Sequence, residues 1–314
     1  MTKPKILYMG TPEFARANLQ YLIEQGCDVA AVVCRPDAMS GRGQRLTPPP
    51  VKVCALEHGL AVYQPATLKD GAFEATLKEI APDLIVVVAY GMMLPGYILD
   101  SAPLGVINLH GSLLPEYRGA APIQRSIIDG KKKTGLTTMY LCAGMDEGDM
   151  ILSEETDIDP NETAGELTVR LAELGGPLLM RTIELIAKGE APRTPQDHSK
   201  ATYAPMISKE EARLDFNMSA ERVYNIFRGC SPNPGVTARH RGKVLRITAM
   251  ELCEGPSGVP GEVVEVGKRG AVIACKDGAV RILRLAPEGK KEMAAGDFVN
   301  GRGIEKAEIL NKEV

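Results

Sequence analysis

The densest chemical signal in the chain is the run Asn108-Leu109-His110-Gly111-Ser112-Leu113-Leu114-Pro115. In an extended strand, alternation puts Asn108 and His110 on one face. A histidine there can act as a general base or as an oxyanion partner, and a carboxamide can donate to a developing oxyanion. Gly111 then permits a tight turn. A second piece is Gly144-Met145-Asp146-Glu147-Gly148-Asp149, which follows a strand-like run at 136–141. An Asp on a glycine-flanked loop can orient His110 and favour its charged form. By residue type alone, Asn108, His110 and Asp146 fit structural roles as well, because Gly- and Asp-rich loops are common turns. His58 and His198 lie in polar segments that suggest no chemistry.

These residues need elements to hold them. Residues 5–9 read as a buried first strand, and Gly10-Thr11-Pro12 as the turn into a helix. Thr11 suits the cap, Pro12 the first helical position and Gly26 the stop. Further apolar strands are expected at 28–34, 84–89 and 106–109, with helical patterns at 69–81 and 121–129. Strands alternating with helices predict a parallel sheet with helices on both faces. Ligands of such sheets bind beyond the carboxyl ends of the strands, where His110 falls. The helical pattern at 162–188 is interrupted by Gly175-Gly176-Pro177, which predicts two pieces or a kink. Residues 189–207 hold three prolines and read as a surface linker.

From 208 the texture changes to one helix at 220–228 and short β-rich runs at 235–240, 244–252, 262–266, 271–275 and 280–285. Short strands at this spacing predict a small barrel or sandwich. The expected organisation is α/β: a catalytic domain at 1–188, a linker at 189–207 and a β-rich domain at 208–314.

Composition narrows the function classes. The net charge of −3 points to no global polyanion binding, but the balance is uneven. Residues 209–314 carry 18 Lys/Arg against 15 Asp/Glu, whereas residues 1–208 carry 19 against 25. The C-terminal third could therefore face a polyanion. The seven cysteines form no CxxC pair, so neither a disulfide framework nor a zinc site is expected, and no metal is called for. No apolar run approaches membrane-spanning length, and a cytoplasmic protein with no membrane partner is expected. The Gly10-Thr-Pro-Glu turn lacks GxGxxG, which argues against a nicotinamide-dependent dehydrogenase.

The motifs together resemble the folate-dependent formyltransferase family. The likeness runs through Met9-Gly-Thr-Pro-Glu-Phe14, Gly41-Arg42-Gly43 with 48–52, Asn108 to Pro115, Tyr117-Arg-Gly-Ala-Ala-Pro122, Asp146-Glu-Gly-Asp149, and Phe227-Arg-Gly with Asn233-Pro-Gly235. It covers essentially the whole chain. The chain departs from the usual family pattern at Leu141-Cys142, where Met-Asp is common, and at Asn233, where an aromatic is common. The resemblance implies a Rossmann-like formyltransferase domain and a C-terminal OB-like β-barrel. It implies 10-formyltetrahydrofolate as co-substrate, with Asn108, His110 and Asp146 catalytic. Ser112, Leu113, Leu114 and Pro115, with Tyr90, Gly91 and Met92, would bind the folate. The likeness is nearest to the branch whose acceptor is methionyl-initiator tRNA, and a monomer is expected. Arg42 and Arg45 would then contact tRNA, as would Arg239, Arg241 and Lys243 in the C-terminal domain. Relatives that formylate an amino sugar nucleotide share the Asn-His-Asp centre, and a formyltetrahydrofolate hydrolase would use water in place of the amine. The basic loop and the basic third argue against both.

Overall fold

The computed structural model describes residues 3–40 and 45–312. Strands β1 (Lys5–Gly10), β2 (Asp28–Val33), β3 (Ala38–Ser40), β4 (Arg45–Thr47), β5 (Ala61–Tyr63), β6 (Leu84–Val88), β7 (Val106–His110), β8 (Lys133–Tyr140) and β9 (Met150–Asp157) occupy the first half of the chain. Between and after them come helices α1 (Glu13–Glu24), α2 (Pro50–Glu57), α3 (Glu74–Ile80), α4 (Gly96–Leu99), α5 (Pro122–Ile128) and α6 (Ala164–Lys188). The main sheet runs β5-β2-β1-β6-β7-β8-β9.

The expected parallel sheet is present from β5 to β7, with helices on both faces. Leu7 and Met9 of β1 face one side, in a core with Leu77 and Ile80 of α3 and Ile98 of α4. Tyr8 faces the other side and donates its hydroxyl to Ala15 O of α1 at 2.7 Å. Strands β8 and β9 depart from the expectation: β8 is antiparallel to both β7 and β9. Between β8 and β9 the chain doubles back through 141–149 without a crossover helix, and an antiparallel pair is the product of such a short return; β7 and β8 are antiparallel although the longer stretch that joins them holds α5. Chain order reverses between β1 and β6, so a crevice opens beyond Gly10 and Val88.

Two local expectations are corrected. Thr11 does not cap α1; Pro12 is the cap residue, and the Thr11 hydroxyl donates to Tyr90 O at 2.9 Å. The side chain thus ties the two sides of the crevice instead of serving the helix. Helix α6 is unbroken from 164 to 188, with Pro177 inside it. Its glycines serve close packing. A Cβ on Gly175 would stand 2.5 Å from Asn18 Oδ1 and 2.8 Å from Leu109 Cδ2, and one on Gly176 would stand 2.5 Å from Tyr21 Cγ. Absent side chains let α6 lie against α1 and β7, and that burial outweighs the poor helix propensity.

The chain forms two compact units. The first comprises 1–119, 133–157 and 168–204, and the second 120–132, 158–167 and 205–314. The second holds α7 (Ala220–Cys230), β10 (Val236–His240), β11 (Lys243–Cys253), β12 (Val263–Gly267), β13 (Gly270–Ala274), β14 (Ala279–Pro287), β15 (Met293–Ala294) and α8 (Ala295–Asn300). Its antiparallel sheet runs β10-β11-β14-β13-β12, with β15 on β14.

Helix α5 joins this unit by packing on α7. Gly229 lets the helices approach, since a Cβ there would meet Ile128 Cγ1 at 2.4 Å. Arg222 Nη1 donates to Ile128 O at the end of α5, where a cation suits the helix dipole. Arg228, buried, donates to Asp159 O and Glu162 O at 3.2 and 2.9 Å and holds that segment.

Arg125 pairs with Glu211 at 2.7 and 3.1 Å. These bonds from Arg125, then the Ser208 N–H, hold the Glu211 carboxyl at about 2 instead of 4.5. A depressed folded-state pKa means the pairing stabilises fully above 4.5 and its contribution is lost as pH falls toward about 2. The carboxylate is 47% exposed, so screening keeps its worth below about 1 kcal/mol. Glu211→Gln should therefore lower stability slightly at pH 7, and the gap should close between pH 4.5 and about 2 in urea titrations. A gap independent of pH would refute the pairing.

Candidate active site

Strand β7 places two of the three expected catalytic groups. It pairs with β6 through Val87↔Asn108 and with β8 through His110↔Thr137. Leu109 points toward Gly175 of α6, so its neighbours Asn108 and His110 point to the opposite face. Val106 of that face belongs to the α3–α4 core. Asn108 is half-buried, and its amide makes no side-chain hydrogen bond with any described residue.

His110 is 5% exposed. Its Nε2 lies 2.8 Å from Tyr117 O. A carbonyl only accepts, so Nε2 carries the hydrogen. Nδ1 faces Asp146 Oδ2 at 3.6 Å, closer than separate charges need and too long for a hydrogen bond. The geometry thus leaves Nδ1 as the ring nitrogen that faces the Asp146 carboxylate. Asp146 is anchored from a second side by the Gly119 N–H, which donates to Oδ2 at 2.8 Å.

Two non-glycine residues of the site have unfavourable backbone. Tyr117 (φ 59°), Gly119 (φ 114°) and Asp146 (φ 52°) all have left-handed φ. Non-glycine residues in that region are strained and persist only where their surroundings hold them. Residues 189–207 supply much of that hold. The segment is largely exposed, but Gln196 is buried. Thr202 Oγ1 accepts from Tyr117 N at 2.8 Å, Thr202 O from Arg118 N at 2.8 Å, and Arg118 O from Ala204 N at 2.7 Å. Sequence reasoning missed this strap and His198, whose Nδ1 accepts from Arg118 at 3.3 Å. Both contacts span about 80 residues of chain, so no local spacing could reveal them.

The residues expected to bind folate fall into two groups. Tyr90, Gly91 and Met92 follow β6 at the crevice. Tyr90 is 2% exposed, and its hydroxyl has no partner among the described residues. Burial pushes that phenol up to about 12. Met92 and Leu94 pack beside it, half-buried. Gly91 has φ 84°, and a Cβ there would project into open space. Ser112 and Leu114 are framework: Ser112 Oγ donates to Glu116 O at 2.6 Å, and Thr137 Oγ1 bridges Ser112 O and Leu114 N at 2.8 and 3.1 Å. Leu113 and Pro115 remain partly exposed.

Arg42, with Gly41 and Gly43, lies outside the described residues. On either side of them β3 and β4 pair antiparallel as Ala38↔Thr47, Met39↔Leu46 and Ser40↔Arg45. Arg45 is exposed where β4 begins. Lys52 is neutralised by Asp37 at 2.8 Å. In the second unit, Arg239 and Lys243 are exposed on the β10–β11 hairpin. Arg239 shares a face with Arg246 across the ladder, whereas Lys243 lies opposite His240 on the other face. Arg241 is tied to Glu308 at 2.6 Å. Arg239 and Lys243 therefore do not share one face of that hairpin.

The mainly parallel sheet thus carries a carboxamide and an imidazole on one strand face, with a carboxylate on a nearby loop, an arrangement suited to group transfer. Residues 4–183 match the formyl transferase family and residues 206–303 its C-terminal domain; the chain belongs to that family. The relatives share full length. The methionyl-tRNA formyltransferase of Alkaliphilus oremlandii is 45% identical over 98% of this chain and 100% of its own. That of Moorella thermoacetica is 45% identical over 98% and 99%.

Solved structures share the fold at low identity. The N-formyltransferase of Helicobacter canadensis, in complex with folinic acid and dTDP-3-aminofucose, is 17% identical. It superposes with a TM-score of 0.67 over 89% of this chain and 98% of its own. HypX of Aquifex aeolicus, in complex with tetrahydrofolic acid, is 16% identical, with a TM-score of 0.66 over 99% of this chain and 51% of its own.

Proposed function

We propose that this protein transfers a formyl group from 10-formyltetrahydrofolate to the α-amine of methionine esterified to initiator tRNA, in the cytoplasm. The observation that carries the reading is the Asn108–His110–Asp146 arrangement, in a chain that full-length methionyl-tRNA formyltransferases match at 45% identity. No helix is long and apolar enough to cross a membrane among the described residues.

The crevice beside the centre suits a folate. Tyr90, Met92 and Leu94 offer an apolar wall, and Gly91 leaves its backbone open to close approach. The buried Tyr90 hydroxyl without a partner costs on the order of 1–3 kcal/mol, which a heterocycle carrying amide and amine groups can relieve. When bound, the co-substrate supplies the activated formyl carbon. Asn108 directs its free amide toward the formyl oxygen, where negative charge grows during attack. His110, with Nε2 held by Tyr117 O, exchanges a proton at Nδ1. The proton that the attacking amine sheds passes to Nδ1, the Asp146 carboxylate stabilises the charged ring, and the ring gives a proton to the folate nitrogen as its bond to the formyl carbon breaks. A free α-amine titrates near ~8, so it needs little activation, and positioning contributes as much as proton transfer.

Exposed Arg45, Arg239, Lys243 and Arg246, together with Arg42, are the proposed phosphate contacts. Such contacts weaken steeply with salt. Arg241 is proposed with them, its pairing to Glu308 needing to open first. The decisive assay compares formyl transfer from 10-formyltetrahydrofolate to charged initiator and elongator tRNA. Transfer to the initiator is expected, and no transfer to either would overturn the function. Donor hydrolysis without tRNA, or formylation of an amino sugar nucleotide, would replace it with the corresponding alternative.

A further inference from the structure

We propose that Gln196 and Arg118 are positioning residues for Asp146, setting the catalytic loop against His110 from a segment that composition marks only as a connection. The inference rests on the reading of Asp146 as catalytic. Gln196 is buried, and both ends of its amide are used. Its Oε1 accepts from Arg118 Nε and Nη2 at 3.1 and 2.8 Å. Its Nε2 donates to Asp146 O and Gly148 O, each at 2.8 Å. Arginine only donates and carbonyls only accept, so the amide can stand in one orientation. It therefore grips the backbone of the catalytic residue itself and of the residue two positions on.

Arg118 is held in turn. It is 1% exposed and bonded to His198 Nδ1 at 3.3 Å, with Glu147 Oε1 at 3.4 Å. Glu147 lies on the same loop, so the guanidinium grips that loop twice: directly, and through Gln196. The backbone of Arg118 is fixed by Thr202 and Ala204, and its neighbour Gly119 donates to the Asp146 carboxylate. Side chain and main chain of Asp146 are thus both referenced to 118–119.

This hold matters because Asp146 has φ 52°. An aspartate released from such a conformation relaxes toward commoner backbone geometry and carries its carboxylate away from Nδ1 of His110. Arg118 is too buried to touch a substrate, so its effect must pass through Asp146.

The test is a double-mutant cycle on turnover, with donor and acceptor saturating. Gln196→Ala should lower kcat by about 10- to 100-fold, with KM for the donor shifted less than about threefold, as expected of a displaced catalytic group. In an Asp146→Asn background, the same change should cost less than about threefold more, because residues that act as a unit are not additive. Gln196→Glu can still accept from Arg118 but cannot donate to the two carbonyls. It should reproduce the loss of Gln196→Ala, and it replaces that variant in the cycle if the alanine protein does not fold. Near-wild-type turnover in Gln196→Glu, or losses that multiply in the double variant, would overturn the proposal. If Asp146→Asn itself keeps wild-type turnover, the assignment of the catalytic centre fails and this inference falls with it. If Asp146→Asn collapses turnover and the Gln196 variants do not, only this inference fails.

Discussion

Asn108→Ala will lower formyl-transfer turnover about 10²- to 10³-fold at saturating donor, the loss expected on removing one preorganised oxyanion donor. The side chain is half-buried on the His110 face of β7, and its amide is uncommitted to any described side chain or backbone group. Deleting it therefore breaks no interaction of the resting fold. Thermal stability should change by less than about 1 kcal/mol, as is usual outside a packed core or network. His110→Ala should lose at least as much turnover, because it removes the proton-exchanging Nδ1 and the charge that Asp146 supports. The pair is checked by steady-state kinetics alongside a melting curve. A stable Asn108→Ala enzyme with near-wild-type turnover would remove the oxyanion role.

The second large effect lies at Gly148, which is never expected to touch a substrate. A Cβ there would stand 1.8 Å from Tyr140 O and 2.9 Å from Tyr140 C. Both are backbone atoms, so no rotamer change can relieve the clash, and either the end of β8 or the 141–149 loop must move. The Tyr140 N to Asp149 O bond of 2.9 Å and the Gln196 contact to Gly148 O would go with it. Gly148→Ala should cost about 1–3 kcal/mol of stability as an overpacked site. It should also cost roughly 100-fold in turnover, the penalty of an ångström-scale misplacement. Gly144, on the same loop, is the control. A Cβ there would meet Glu147 Oε2 at 2.3 Å, the end of a side chain that can swing away at the cost of its contact with Arg118. Gly144→Ala leaves the Gln196 bonds to Asp146 O and Gly148 O in place and should lose less activity than Gly148→Ala. A folded Gly148→Ala protein with near-wild-type turnover would show that loop placement does not limit the reaction.

Much of the frame is written locally. The apolar runs at 5–9, 28–34, 84–89 and 106–109 become β1, β2, β6 and β7, and the five expected C-terminal runs become β10 to β14 within a residue or two. Their strength is the reason: strands this apolar have few other ways to bury their side chains. The punctuation was less reliable. Thr11 carries the residue type of a cap but bonds across the crevice, and Gly175-Gly176-Pro177 carries breaker residues inside a continuous helix. In both cases a contact distant in sequence outweighed a local preference worth about 1 kcal/mol per residue.

The sequence by itself determined the chemistry available here: which strand ends in Asn-Leu-His, that Asn108 and His110 share a face, and which loop brings the acid. These follow from side-chain alternation and residue type, which no tertiary contact can change. Only the tertiary structure decided which nitrogen of His110 is free, through Tyr117 O, and how Asp146 is held 3.6 Å from it. It alone recruited Gln196 and His198 from an apparent linker, and divided the basic residues of β10 and β11 between two faces. Those outcomes depend on partners tens of residues away, whose approach is set by the packing of whole elements and leaves no periodic trace along the chain.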